Sequence, residues 1–373
     1  MAGIYIHVPF CRQACHYCSF HFSTSLRLKE EMMSAMLIEM QQVENKPSMI
    51  DTIYFGGGTP SILSIEEIKL LMDQIYRHYE VSGDVEVTLE ANPEDLSEDY
   101  VKGLRDLGVN RLSIGIQSFL EDDLQYMNRA HSAEQSLQAI EYALSGGIRD
   151  VSLDLMFGLI GSDQSAWRAS LEQIIDLSPT HISCYNLTVE EQTAFAHWRE
   201  KGQLQEVDEN IQYEQYLMTH ELLSSAGYDH YEISNYAKPG HRSRHNQSYW
   251  NSQPYIGIGP SAHSFNGERR SWNVANNAKY LKQIKEGQER ESELLSPSDR
   301  YNEYIMLGLR TAKGIAKSQI DEFPKKMRES FDAVSARLLG QGVLKSSGDT
   351  IYLSPEQWYI SDAISAELFW DAD

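Results

Sequence analysis

The feature that most constrains the fold of this chain is the alternation, across its first half, of short strand-like runs with segments of helical periodicity. Strand candidates fall at Ile4–Val8, Thr52–Phe55, Val85–Leu89, Arg111–Ile116, Asp150–Leu155 and His181–Asn186. Between them, Leu28–Val43, Ser64–Tyr79, Ser97–Leu107, Ala133–Leu144 and Gln164–Leu177 repeat apolar residues at helical spacing. Ser64 with Glu67 three residues on is a capping-box signature, and Ser97 with Tyr100 is a weaker helix start. Strands joined in this way by helices form a parallel sheet with right-handed crossovers. The expectation is an α/β fold built on a partial, TIM-like (βα)6 barrel whose ligands collect at the C-terminal ends of the strands.

The polar residues keep that phase. Gly56-Gly57-Gly58-Thr59-Pro60 follows the second strand, Glu90-Ala91-Asn92-Pro93 the third and Gln117-Ser118-Phe119 the fourth, while Asp154 closes the fifth. After the first strand comes Cys11-x3-Cys15-x2-Cys18, three of the four cysteines within eight residues. A cubane [4Fe–4S] cluster usually takes four thiolates, so three leave one iron open. An open iron can chelate the amino and carboxylate groups of S-adenosylmethionine, whose radical chemistry is the cofactor's own. The alternative is a Cys3His zinc site completed by His7, His16 or His21. No second Cys/His pair of zinc-knuckle spacing follows, which weighs against it. Cys184, in the apolar stretch His181-Ile182-Ser183-Cys184-Tyr185, reads as a small core residue.

Thirty-two basic residues against 54 acidic ones give a formal charge of −22, which disfavours nucleic acid or an anionic membrane as partner. Neither a signal peptide nor about 20 consecutive apolar residues occurs, so a cytoplasmic protein without a transmembrane segment is expected. Clustered cysteines of this kind do not make a disulfide framework.

Beyond about residue 200 the alternation stops. A helix at Asn210–Ala226 is followed by aromatic-rich strands around Tyr228–Glu232 and a turn at Lys238-Pro239-Gly240. From Ser298, helices near Tyr301–Leu309 and Met327–Leu339 precede a hairpin turning at Ser346-Ser347-Gly348-Asp349, the order of a winged helix. Its acidity favours a structural or lid role over DNA binding. The chain thus divides into a barrel over 1–200, an α+β extension over 201–297 and a winged-helix-like segment over 298–373.

With the first strand, the Cys loop and the Gly-Gly-Gly-Thr-Pro turn in place, the chain resembles the radical S-adenosylmethionine superfamily. Tyr5-Ile6-His7-Val8-Pro9-Phe10-Cys11, with the segments ending in Glu90, Gln117, Arg129 and Asp154, is most similar to the oxygen-independent coproporphyrinogen dehydrogenase group and its haem-chaperone relatives. Members with dehydrogenase activity typically carry a longer N-terminal extension and a further cysteine two residues after the third. Here that position is Phe20, as in the chaperone branch.

The resemblance implies a [4Fe–4S] cluster on Cys11, Cys15 and Cys18. It implies that Tyr5 packs on or hydrogen-bonds S-adenosylmethionine, and that Gly57, Gly58 and Thr59 bring backbone to its amino group. Glu90 and Asp154 take its ammonium or ribose hydroxyls, Gln117 its ribose and Arg129 its carboxylate. His245-Asn246-Gln247-Ser248-Tyr249-Trp250 resembles the haem-binding signature of the chaperone branch. By itself, a histidine beside aromatics reads as a packed, hydrogen-bonded residue. With the resemblance, His245 becomes a haem-iron ligand, Tyr249 and Trp250 walls of the macrocycle, and Arg242 or Arg244 propionate partners.

The implied function is a haem chaperone with a cluster and S-adenosylmethionine as accessory cofactors. Its implied partners are haem and acceptor haemoproteins, respiratory ones among them, and a homodimer is compatible with it. The alternative is an oxygen-independent coproporphyrinogen III oxidase.

Overall fold

The computed structural model describes residues 2–43, 46–161 and 163–371. The six expected strands are present as β1 (Gly3–Val8), β2 (Ile50–Gly57), β3 (Val81–Ala91), β4 (Arg111–Gln117), β5 (Asp150–Phe157) and β6 (His181–Asn186). They pair in parallel in chain order. Helices Lys29–Gln42, Ile65–His78, Glu98–Asp106, Ala133–Ser145 and Gln164–Leu177 lie between them. The Ser64/Glu67 capping box forms, and Ser97 caps through Tyr100 N–H alone.

Register explains the packing. Ile4, Ile53, Val87, Leu112, Val151 and Ile182 belong to the parity that points at the helices, and all are essentially fully buried. The opposite parity lines the barrel with Tyr5, Tyr54, Glu90, Ser113, Ser152 and Asp154. Alternation along a strand therefore separates an apolar outer layer, held by area burial, from a polar interior. Cys184 belongs to the outer parity and is buried in the core, as expected of it.

The later strands extend the same sheet rather than forming another. β7 (Asp229–Glu232) and β8 (Asn235–Ala237) make a hairpin whose β8 runs antiparallel to β6. At the other edge β9 (Tyr255–Ile258) pairs in parallel with β1, a seventh parallel strand that the sequence did not suggest. β10 (His263–Phe265), β11 (Arg269–Trp272) and β12 (Glu291–Leu294) continue antiparallel from it.

Glu39, 2% exposed on helix Lys29–Gln42, ties this edge to the barrel. It accepts hydrogen bonds from Gly259 N–H (2.8 Å), Asn273 Nδ2 (2.6 Å) and Tyr280 hydroxyl (2.6 Å), and pairs with Arg290 (2.7 Å).

The C-terminal segment runs helix Pro297–Leu309, β13 (Ile315–Ala316), helices Lys317–Ile320 and Lys325–Gly340, then the hairpin β14 (Lys345–Ser347) and β15 (Thr350–Tyr352). That is the winged-helix order. Tyr216, on helix Glu209–Ser225, donates to Pro355 O at 2.6 Å and fastens the segment to the barrel edge.

Candidate functional site

The Cys loop leaves β1 at the C-terminal rim and is closed at its base by Cys11 N–H to Ser23 O (3.1 Å) and Ser23 N–H to Pro9 O (3.0 Å). A chain of side chains then links its cysteines to the neighbouring strand ends. Thr59 hydroxyl donates to Cys11 Sγ (3.4 Å), Asn92 Nδ2 to Thr59 Oγ1 (3.2 Å), and Arg129 Nη2 to Asn92 Oδ1 (2.6 Å) and Gly115 O (2.8 Å). Arg129 Nη1 reaches Cys15 Sγ and Tyr17 hydroxyl, both at 3.3 Å. Burial opposes the charge of Arg129, but Tyr17, Cys15 and Glu94 outweigh it and hold its pKa above the usual arginine value. Asn92 and Tyr17 were not singled out from the sequence, although Asn92 stands in the expected polar strand end.

Burial pushes the Cys11 thiol up to about 12 and raises that of Cys18. Metal binding has to displace those protons. Among the described residues, no three His, Cys, Asp or Glu side chains gather around one point where a single ion would sit. A cubane takes its thiolates on different irons, so it does not need that convergence. Each histidine of the zinc alternative has at least one ring nitrogen bonded away from the cysteines. His7 Nε2 bonds His21 O (2.8 Å), with Nδ1 at 3.3 Å from Tyr5 hydroxyl; His16 Nδ1 bonds Tyr126 O (2.9 Å) and His21 Nε2 bonds Asn277 (2.8 Å). Three thiols beside a guanidinium whose buried Nε has no partner among the described residues make a donor set suited to a cluster and an anionic ligand group.

Inside the rim, Glu90 accepts from Tyr54 hydroxyl (2.7 Å) and from Gly57 N–H (3.2 Å). Burial pushes its carboxyl up to about 7, against the Tyr54 hydrogen bond. Gly57 has φ +110°, and a Cβ there would meet the His7 ring at 2.7 Å; at Gly58 it would meet Phe10 O at 2.7 Å. Only glycine fits this turn. Asp154, whose carboxyl is raised by burial, accepts from Ser113 (3.1 Å) and Ser152 (3.3 Å). Gln117 takes φ +63°, and its amide lies across Gly115, where a Cβ would meet Nε2 at 2.8 Å. Gly57, Gly58, Thr59, Gln117 and Arg129 thus lie at the C-terminal rim, and Tyr5, Glu90 and Asp154 belong to the interior parity of β1, β3 and β5 below it.

His245 lies elsewhere. The short helix Arg244–Trp250 closes the opposite, N-terminal mouth, and Glu86 of β3 accepts from both Arg244 N–H and His245 N–H at 2.9 Å. The His245 ring, 1% exposed, inserts into the barrel. Its Nδ1 bonds Thr52 hydroxyl (2.8 Å) and its Nε2 Tyr249 hydroxyl (2.9 Å). Burial pushes its pKa down to about 3. Both ring nitrogens are thus hydrogen-bonded in this geometry, and ligation of haem iron by His245 would have to replace one of these bonds. Arg244 donates to Asp84 O (2.6 Å) and Arg242 reaches Asp229 (3.5 Å), so both carry acidic neighbours.

A parallel barrel of this register, with a three-cysteine loop after its first strand, defines a radical S-adenosylmethionine protein. Residues 5–174 match the Radical SAM superfamily model, and residues 295–360 match the HemN C-terminal domain. The structure of Escherichia coli coproporphyrinogen III oxidase (HemN) superposes with a TM-score of 0.85 over 99% of this chain and 90% of that one, at 20% identity, a likeness of fold. The heme chaperone HemW of Bacillus subtilis is 36% identical over 95% of both chains. That of Escherichia coli is 38% identical over 70% of this chain and 69% of its own. The chain belongs to the HemW family.

Proposed function

We propose that this protein is a cytoplasmic haem chaperone that carries a [4Fe–4S] cluster on Cys11, Cys15 and Cys18, binds S-adenosylmethionine beside it and hands haem to acceptor haemoproteins. The observation that carries the cofactor part is the make-up of the Cys loop. Three thiols sit on the barrel rim, the next candidate position is Phe20 with 72% exposure, and the fourth cysteine is buried in the core. The haem part is supported by the name its relatives bear. Among the described residues no helix is long and apolar enough to cross a membrane.

A cluster with one iron free of thiolate supplies a chelation point and an electron source for S-adenosylmethionine. The protein's own part is placement. Arg129 offers a fixed positive charge beside Cys15 for a carboxylate, Glu90 and the Gly57–Gly58 backbone meet an ammonium, and Asp154 and Gln117 face ribose hydroxyls.

The test is anaerobic incubation of reconstituted protein with haem and an apo-globin, in parallel with coproporphyrinogen III, S-adenosylmethionine and a reductant. Haem transfer without protoporphyrinogen is expected. Robust protoporphyrinogen formation with 5′-deoxyadenosine would replace this reading with coproporphyrinogen III oxidase.

A further inference from the structure

The signature helix Arg244–Trp250 sits at the wrong end of the barrel to touch the rim, yet its histidine is in contact with interior side chains that lead to the rim. The His245 ring stacks on Tyr54 with centroids 4.8 Å apart and an interplanar angle of 26°, and Tyr5 stacks beyond at 6.4 Å. Tyr54 hydroxyl donates to Glu90 Oε1 at 2.7 Å, and Glu90 Oε2 accepts Gly57 N–H at 3.2 Å. From the plugging helix to the glycine turn the path is therefore ring on ring, hydroxyl to carboxylate, carboxylate to backbone.

That path has no slack. A Cβ on Gly3 would meet Thr52 Oγ1 at 2.7 Å and the His245 ring at 3.0 Å. A Cβ on Gly56 would meet the Tyr5 and Tyr54 rings at 2.9 Å and the Glu90 carboxyl carbon at 3.2 Å. The floor of the stack is equally fixed. Thr52 and Tyr249 hold both ring nitrogens, Tyr249 stands edge-on to the imidazole at 5.0 Å, and Glu86 anchors the helix N-terminus. Close-packed interiors transmit displacement instead of absorbing it, so the height of Tyr54, and with it the Glu90 carboxylate, is set from below by the imidazole.

We infer that His245 is a positioning residue for the S-adenosylmethionine site: by plugging the N-terminal mouth it fixes Tyr54, which orients Glu90 and the Gly57 turn. This rests on the proposal that Glu90 and Gly57 hold the ligand. It gives the signature histidine a part in cofactor binding through two intervening side chains. The neutral, doubly hydrogen-bonded ring suits such a part, because it presents a flat face while both edges are locked.

The experiment is titration of S-adenosylmethionine into anaerobically reconstituted protein, read by the perturbation of the reduced cluster's electron paramagnetic resonance, with iron content and a haem titration on each sample. His245→Ala and Tyr54→Phe should each weaken binding by about tenfold, and the double variant should be no weaker than either, since contacts along one path are not additive. Cluster content should stay at the wild-type level. The triple variant Thr52→Val/His245→Phe/Tyr249→Phe keeps a ring under Tyr54 and leaves no buried hydroxyl unpaired. It should bind within about threefold of wild type, a rescue that loss of an iron ligand could not give. It also keeps the test decisive if His245→Ala does not fold.

Unchanged binding in His245→Ala, with weakened binding in Glu90→Gln, overturns the positioning role alone. Unchanged binding in Glu90→Gln overturns the assignment of Glu90 to the ligand, and the positioning role with it. Normal S-adenosylmethionine binding in His245→Ala with a lost Soret band would return His245 to the haem iron.

Discussion

Glu90→Gln should separate stability from ligand binding. In the folded protein the Glu90 carboxyl sits near 7 instead of 4.5, chiefly through burial. Below pH 4.5 it is neutral in the folded and unfolded chains alike and contributes no pH dependence. As pH rises from 4.5 the unfolded chain releases the proton while the folded one retains it, so stability falls, and the loss is complete above about 7. At about 1.36 kcal/mol per pH unit, the wild type gives up about 3 kcal/mol across that window. Glutamine preserves the shape, can accept from Tyr54 or Gly57, and never ionises. With an unfolding entropy near 2.1 cal/mol/K per residue, a chain of this length changes its melting temperature by roughly 4 °C for that free energy. Thermal melts of cluster-free protein should therefore show Glu90→Gln gaining about 4 °C on wild type between pH 4.5 and pH 8. The same substitution should weaken S-adenosylmethionine binding, because the charge facing its ammonium is gone. A melting difference independent of pH, or a variant that loses ground on wild type as pH rises, would refute the placement of an ionisable carboxyl in the dry barrel interior.

Two further outcomes are expected. Serine replacement of Cys11, Cys15 or Cys18 should abolish the reducible cluster in iron analysis and electron paramagnetic resonance, whereas Cys184→Ser should retain it, since Cys184 faces the helices. Glu39→Ala removes the acceptor of four hydrogen-bonded groups and the carboxylate partner of Arg290, and breaking such a buried pair costs about 3–5 kcal/mol. For a chain of this length that is roughly 4–6 °C in melting temperature; a loss under about 2 °C would mean that the β9–β12 edge is held by apolar packing instead.

The sequence by itself determined the six βα units, the rim to which their polar ends belong, the cysteine triplet and the winged-helix order of the tail. Each of these is written in local periodicity: alternation of two along Ile4–Val8, helical spacing with a Ser64/Glu67 cap, and residues a fixed step beyond each strand. Only the tertiary structure decided what depends on meetings across long stretches of chain. Tyr255–Ile258 is too short to declare itself a strand and becomes one because β1 offers an open edge. Arg129 finds Cys15 across 114 residues, and His245 finds Thr52 across 193. A histidine flanked by tyrosine and tryptophan reads by itself as a packed residue and with the family resemblance as a haem ligand, because its neighbours in the chain leave open what stands above its ring. In the fold Tyr54 stands there and both nitrogens are paired.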